Sequence, residues 1–326
     1  MKHGFKSVDE IKNTLAKYGY VAETKLATVV YLSLILERPL FLEGEAGVGK
    51  TDLAKVLAEI LGRPLVRLQC YEGLDRQTAL YDWNYPRQLL HIRLAETAIN
   101  KSLTPEVLAN HRNNFEKEQT WKETVEQELY SEQFLLRRPL LSAISPLDGI
   151  APVLLVDEVD RSDEEFEAFL LELMAEFQVT IPELGTIRAK ERPLVVLTSN
   201  RTREVHDALK RRCLYHWIDY PSFSKEMEIV RNKLPQVEGK LAAQICAFVA
   251  RLRQEPLFKL PGVAETIHWA QALEALGAKR LSPEWVESTI GCLLKYKDDF
   301  DFLAQNQSQG HTSITRLLAE IGVDKE

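Results

Sequence analysis

Two apolar patterns alternate along the first two thirds of the chain, and only one continues to its end. Short apolar runs occur in Arg38-Pro-Leu-Phe-Leu-Glu43, Pro152-Val-Leu-Leu-Val156 and Pro193-Leu-Val-Val-Leu-Thr-Ser-Asn200, and Leu65-Val-Arg-Leu-Gln-Cys70 reads as a further strand. Runs of this length without strict alternation predict strands covered on both faces, as in a parallel sheet. Between them the apolar residues recur at helical spacing. Asp52 to Leu61 is one such stretch, and Phe166, Phe169, Leu170, Leu173, Met174 and Phe177 form another, with Ser162-Asp163-Glu164-Glu165 reading as its capping box. From about residue 222 only the helical pattern remains, over Phe223–Leu234, Lys240–Arg253 and Val263–Leu276. A further helix opens with Ser282 as cap and Pro283 at its first position and is expected to run to about Tyr296. The pattern predicts an α/β domain over residues 1–221, with a parallel sheet flanked by helices, and an α-helical lid over 222–326.

The first candidate chemistry lies between the first strand and the first helix. Gly44-Glu45-Ala46-Gly47-Val48-Gly49-Lys50-Thr51 is a complete G-x-x-x-x-G-K-[ST] loop. Its glycines let consecutive N–H groups turn toward nucleotide phosphates. Lys50 brings a point charge, Thr51 a hydroxyl for Mg²⁺, and the helix that follows the positive end of its dipole. A nucleotide cradle is the expectation; the loop does not say what the nucleotide is used for.

Two strand ends carry the next candidates. The run Pro152–Val156 ends in Asp157-Glu158, where Asp157 could hold Mg²⁺ and Glu158 could polarise an attacking water. Two solvated acids opening the next helix is the plainer reading. The run from Pro193 ends in Asn200, which would arrive beside Glu158 if strand C-termini line one crevice, there to orient the water or to close a turn. Downstream, Asp207-Ala-Leu-Lys-Arg-Arg-Cys213 reads as a helix end with three consecutive cations. These complement the helix dipole, or Arg211 or Arg212 reaches a neighbouring subunit's nucleotide as an arginine finger.

The order of these elements resembles an AAA+ ATPase, and more closely the MoxR family and its CoxD-like group. The resemblance rests on the phosphate loop, Leu80–Leu90, Leu154–Arg161, Phe177–Arg188 and Pro261–Ala270, and spans about residues 35 to 275. It implies ATP and Mg²⁺ as cofactors and catalysis by Glu158, Asn200 and Arg211 or Arg212. It further implies a homo-oligomeric ring, a hexamer, and a partner with a von Willebrand factor A domain. The implied client is a metalloenzyme being matured, for this group the molybdenum–copper carbon monoxide dehydrogenase or a related enzyme. Gln178–Arg188, alternating about a Pro- and Gly-bearing centre, reads as a hairpin and resembles the pre-sensor hairpin of such proteins. Gly73 to about Leu90 resembles their helix-2 insert, in which Tyr81, Trp83 and Tyr85 either grip a client or pack beneath their own loop. The pattern departs from the family at Leu260-Pro-Gly-Val-Ala-Glu-Thr266, which lacks the usual lid arginine; Lys259 or Arg251 could replace it.

Composition narrows the picture further. The net charge of −7 argues against a nonspecific grip on nucleic acid. A DNA-dependent motor or loader would need a local basic track, and a small-molecule kinase an acceptor pocket that no motif announces. Cys70, Cys213, Cys246 and Cys292 are scattered and form no metal-binding spacing, so reduced thiols in a cytoplasmic protein are expected. No apolar run approaches a membrane span, and Met1-Lys-His-Gly-Phe5 lacks the apolar core of a signal peptide. The Glu-, Lys- and Gln-rich stretch from about Asn100 to Arg138, with Phe115, Trp121 and Leu129, predicts surface helices.

Overall fold

The computed structural model describes residues 4–102, 128–305 and 313–323. Most of the expected surface helices between residues 100 and 138 therefore lie outside the described residues. In chain order, α1 (Val8–Lys17), capped by the Ser7 hydroxyl, and α2 (Thr24–Leu36) precede β1 (Leu40–Gly44). The phosphate loop leads into α3 (Lys50–Leu61), and β2 (Leu65–Gln69) follows. Next come α4 (Arg76–Leu80), β3 (Tyr81–Trp83) and α5 (Tyr85–Ser102), then β4 (Leu135–Arg137) and α6 (Pro139–Ile144). The chain returns through β5 (Val153–Asp157), α7 (Glu164–Glu176), β6 (Gln178–Ile181), β7 (Gly185–Arg188), β8 (Leu194–Ser199), α8 (Asp207–Arg212) and β9 (Leu214–Ile218).

Five of these strands form one parallel sheet in the order β2-β5-β8-β1-β9. The side-chain period of two then explains the unbroken apolar runs, because both faces are covered. Leu40 and Leu42, Val153 and Leu155, and Leu194 and Val196 point into a core shared with α1, α2 and α3. Phe41, Leu154, Val156, Val195 and Leu197 point to the opposite face, into a core shared with α4, α6 and α7. With helices on both faces, polar side chains are left to collect at the strand ends, and β1, β5 and β8 all end on one edge.

Two smaller antiparallel pairs pack against this body. β3 and β4 pair antiparallel, and Trp83 is buried there, edge-on to Tyr130 at 5.4 Å. Trp83 therefore packs under its own loop, whereas Tyr85 is exposed. β6 and β7 form the hairpin, with Val179 and Ile181 buried and the Thr180 and Thr186 hydroxyls 3.0 Å apart. At α7 the cap is Asp163, which accepts the Phe166 N–H, while the Ser162 hydroxyl donates to Val159 O. The expected four-residue box is thus shifted by one position, because Ser162 is occupied closing the preceding turn.

All described elements after β9 are helical: α9 (Phe223–Lys233), α10 (Gly239–Leu252), α11 (Val263–Ala275), α12 (Pro283–Thr289), α13 (Lys297–Gln305) and α14 (Ser313–Glu320). They enclose their own core around Trp269 and Phe248, whose rings lie 5.4 Å apart. α12 stops at Thr289 and a 3-10 turn, Ile290–Cys292, replaces the expected run to Tyr296. Gly291 is a poor helix former, and the turn lets Leu293 and Leu294 both face inward.

Candidate active site

The phosphate loop joins β1 to α3 at the sheet edge where β5 and β8 also end. Two of its glycines have specific reasons. A side chain at Gly44 would run into the Ile218 carbonyl of β9, and at Gly47, where φ is +78°, a Cβ would stand 2.9 Å from Glu265 of α11. The Lys50 ammonium is buried and donates to the carbonyls of Gly44 (2.7 Å) and Glu45 (2.6 Å), folding back over the loop it serves. Burial lowers its pKa to about 8 against the opposing pull of Asp160, Glu45, Asp157 and Glu158.

Asp157 sits at the end of β5, 2 % exposed, facing the start of α3. Its Oδ1 accepts from the Thr51 hydroxyl at 2.9 Å and from the Thr198 hydroxyl at 2.5 Å. Its Oδ2 accepts from Arg67 Nε (3.0 Å) and Nη2 (2.6 Å), so a guanidinium from β2 balances this buried charge. A hydroxyl and a carboxylate already in contact are the hard oxygen donors that Mg²⁺ selects, and the pair fits that ion.

Glu158 follows in the left-handed region, φ +55° and ψ +51°, a conformation that costs a non-glycine residue about 1 kcal/mol or more. The turn is held by the Glu158 N–H, which donates to Thr198 Oγ1 at 2.9 Å. It swings the carboxylate away from that of Asp157 and toward Asn200, whose Nδ2 donates to Glu158 Oε1 at 3.3 Å. Gln69 Nε2 donates to Oε2 at 3.1 Å, and Arg161 lies 3.3 Å from the same oxygen. Asp160 completes the frame. It accepts from the backbone N–H of Asn200 (3.2 Å) and from the N–H and hydroxyl of Thr202 (2.8 and 2.7 Å), binding the end of β8 to the turn after β5.

Lys50, Thr51, Asp157, Glu158, Thr198 and Asn200 line a cleft of about 550 Å³ between the sheet edge and the helical region. Tyr20 and Val21 close one side; Val263, Ala264, Ile267 and His268 of α11 close another. The roof is hydrogen-bonded to the floor: the N–H groups of Val263 and Ala264 donate to Gly47 O at 3.1 and 3.3 Å. Behind that contact, Arg253 grips Glu226 through two bonds of 2.7 Å and donates to Pro261 O at 2.8 Å, with Glu226 fully buried. Neither Arg251 nor Lys259 lines the cleft; Arg251 is paired with Glu255 and Glu320. The cations of α9 at the cleft are Lys225, bonded to Glu23 at 2.9 Å, and Lys233, bonded to Asp52 at 3.1 Å.

The phosphate loop, Asp157, Glu158 and Asn200 are thus brought together. Arg211 and Arg212 are not: α8 contributes nothing to its own chain's cleft. The Arg211 side chain is 82 % exposed, with only a 3.9 Å pairing to Asp207, and Arg212 Nη1 donates to Leu171 O at 3.0 Å. Sequence reasoning missed Tyr20, Arg67, Gln69, Thr198, Lys225 and Lys233. The polar residues at alternate positions of Leu65-Val-Arg-Leu-Gln69 and Thr198 within an apolar run were visible signals; nothing marked Tyr20 or the α9 lysines.

A family model for the AAA domain, dynein-related subfamily, matches residues 39–213, which takes in the phosphate loop, β5, β8 and α8. The chain belongs to this AAA family. Residues 39–213 have the P-loop fold of that family, a parallel sheet flanked by helices, and a helical region follows. No curated protein matches the AAA chain by sequence. Among solved structures, the Thermotoga maritima RuvB Holliday junction branch migration motor is 17 % identical, covering 99 % of this chain and 87 % of that one, with a TM-score of 0.44. A point variant of the same RuvB gives 17 %, 99 %, 85 % and 0.45. Among the described residues of the AAA chain, no helix is long and apolar enough to cross a membrane.

Proposed function

We propose that this chain is an ATP-hydrolysing remodelling protein of the MoxR type, in the CoxD-like group. The observation that carries the reading is the meeting of Thr51 with Asp157 (2.9 Å) and of Glu158 with Asn200 (3.3 Å) along one cleft behind a complete phosphate loop. The backbone of Gly44–Gly49 and the ammonium of Lys50, which now donates to two loop carbonyls, would hold the phosphates of ATP. Bound Mg²⁺, held by Thr51 and Asp157, supplies charge neutralisation across the phosphates. Glu158 accepts a proton from the attacking water, and Asn200 fixes the direction of that carboxylate.

The reading extends to assembly. α8 leaves its own cleft without an arginine, so Arg211 or Arg212 serves the next subunit of a ring, a hexamer, and stabilises charge developing there. Residues 222–326 act as a lid on the domain of residues 1–221. The β6–β7 hairpin and the β3–β4 pair carry the motion to a client. The resemblance in the sequence supports a cytoplasmic setting, a von Willebrand factor A domain partner and a metalloenzyme client, and the acidic net charge favours protein over nucleic acid as that client. Glu158→Gln is expected to bind ATP while turnover drops by about 10² or more. Unchanged turnover in that variant would remove Glu158 as the base. Affinity capture of the Glu158→Gln protein from its host tests the partner: recovery of a von Willebrand factor A domain protein supports this group, and its absence with ATP bound counts against it.

A further inference from the structure

The strand that carries the phosphate loop is fastened to α8 at both of its ends. At the start of β1, Arg38 donates from Nη2 to Arg211 O at 2.8 Å and from Nε to Arg212 O at 3.3 Å. These are the last two carbonyls of α8, which have no intrahelical partner, and a guanidinium there also meets the negative end of the helix. At the other end of β1 stands Glu43, 3 % exposed and one residue before the phosphate loop. Its Oε2 accepts from the Tyr215 hydroxyl at 2.9 Å, and its Oε1 accepts from the Ser199 hydroxyl at 3.3 Å and faces Lys210 Nζ of α8 at 3.8 Å. Ser199 adjoins Asn200, so the same carboxylate touches the end of β8. The parallel pairing of β1 with β9 closes the frame, beginning with the Leu214 N–H on Pro39 O at 2.7 Å.

A six-residue helix has little stability of its own, and its direction is set by what holds its ends. Here the two holds on its last turn come from β1 and the residues beside it, while the His206 N–H on Glu167 Oε2 (2.7 Å) and Arg212 on Leu171 O tie the helix to α7. We propose that Arg38 and Glu43 are positioning residues that aim Arg211 and Arg212 at the neighbouring subunit's nucleotide. Through them, the strand behind one phosphate loop is mechanically joined to the arginines that serve the next. Neither residue touches its own cleft. Loss of either therefore harms the site next door and leaves ATP binding in its own subunit intact. This inference rests on the shared-site reading above.

Complementation between subunits tests it. A Glu158→Gln subunit cannot hydrolyse ATP but donates its arginines; a subunit with both Arg211→Ala and Arg212→Ala has a complete cleft but donates nothing. Mixed, the two are expected to recover turnover that neither shows alone. Adding Arg38→Gln to the Glu158→Gln donor is expected to lower that recovered turnover by about tenfold to a hundredfold, the range for a misplaced catalytic group. Glu43→Gln, which keeps the hydrogen bonds and loses the attraction for Lys210, should lower it by a smaller factor. Arg38→Lys, which keeps a cation near the carbonyls, should restore part of it. Particle mass and the affinity of each single variant for a fluorescent ATP analogue should stay within about twofold of wild type. Recovered turnover indifferent to both substitutions, or lost only together with assembly or ATP binding, overturns the positioning role. No recovery from the parent mixture would instead bring down the shared-site reading beneath it.

Discussion

Gly262 offers a clean way to separate the roof of the cleft from its floor. Its backbone, φ −81° and ψ −178°, is open to any residue, so Gly262→Ala introduces no conformational strain. The added methyl, however, would stand 2.6 Å from Ala46 O and 3.0 Å from Gly47 Cα, both backbone atoms of the phosphate loop. Restoring ordinary contact requires a displacement of roughly 0.5–1 Å, set by the packing distances of such atoms. That displacement stretches the Val263 and Ala264 bonds to Gly47 O beyond useful length. At about 1 kcal/mol each, the contact between α11 and the phosphate loop loses about 2 kcal/mol, and ATP affinity falls by about 30-fold if the closed cleft is the binding form. Titration with a fluorescent ATP analogue gives the affinity, and a dye pair across the cleft gives the opening. Gly239→Ala is the control, since a Cβ at Gly239 meets nothing within 4 Å. Unchanged affinity in Gly262→Ala together with an unchanged dye distance would refute the idea that this contact closes the cleft.

Other predictions follow from neighbouring groups. Arg253→Leu leaves the fully buried Glu226 carboxylate without its cation and should destabilise the helical region by about 3–5 kcal/mol, read as faster amide exchange in α10 and α11; protection equal to wild type would contradict the role given to this pair. ATP binding should weaken as pH rises through about 8, because burial lowers the Lys50 pKa to that value and only the ammonium attracts phosphate. The same shift means that the unfolded chain holds the Lys50 proton up to higher pH than the folded one, so this group's burden on stability is full below about 8 and lifts above it. Calorimetry at pH 8 in buffers of different ionisation enthalpy should then show proton uptake on ATP binding; binding without uptake would contradict the prediction.

Much of this arrangement was legible in the chain because it depends on local signals. Unbroken apolar runs marked β1, β5 and β8, and the residues ending them marked the candidate site. Arg67 and Gln69 were less legible, since their role depends on β2 lying next to β5, a pairing between Leu65–Gln69 and Val153–Asp157 that separate stretches do not reveal. Tyr20, Lys225 and Lys233 were illegible for the same reason: the loop between α1 and α2 and the helix α9 reach the cleft only by packing against elements distant in the chain. The extent of the helix after Ser282 was misjudged because burial of Leu293 and Leu294 outweighed a continuous helical pattern. Trp83 could not be assigned until β4, over 50 residues later, was seen to complete its shelter.

The place of β1 in the sheet also bears on how the chain is made. It is a central strand, with apolar side chains on both faces, yet its two partners are encoded far downstream: Leu40 pairs with Val196 on one side and Leu214 on the other. A ribosome adding about 5–20 residues per second needs roughly ten to thirty seconds to deliver them. During that time Leu40, Phe41 and Leu42 form an unpaired sticky segment. Arg38, Glu43 and Glu45 flank it, and opposed charges beside such a segment slow its association with other nascent chains. The residues that brace the finished fold would thus also guard it during synthesis.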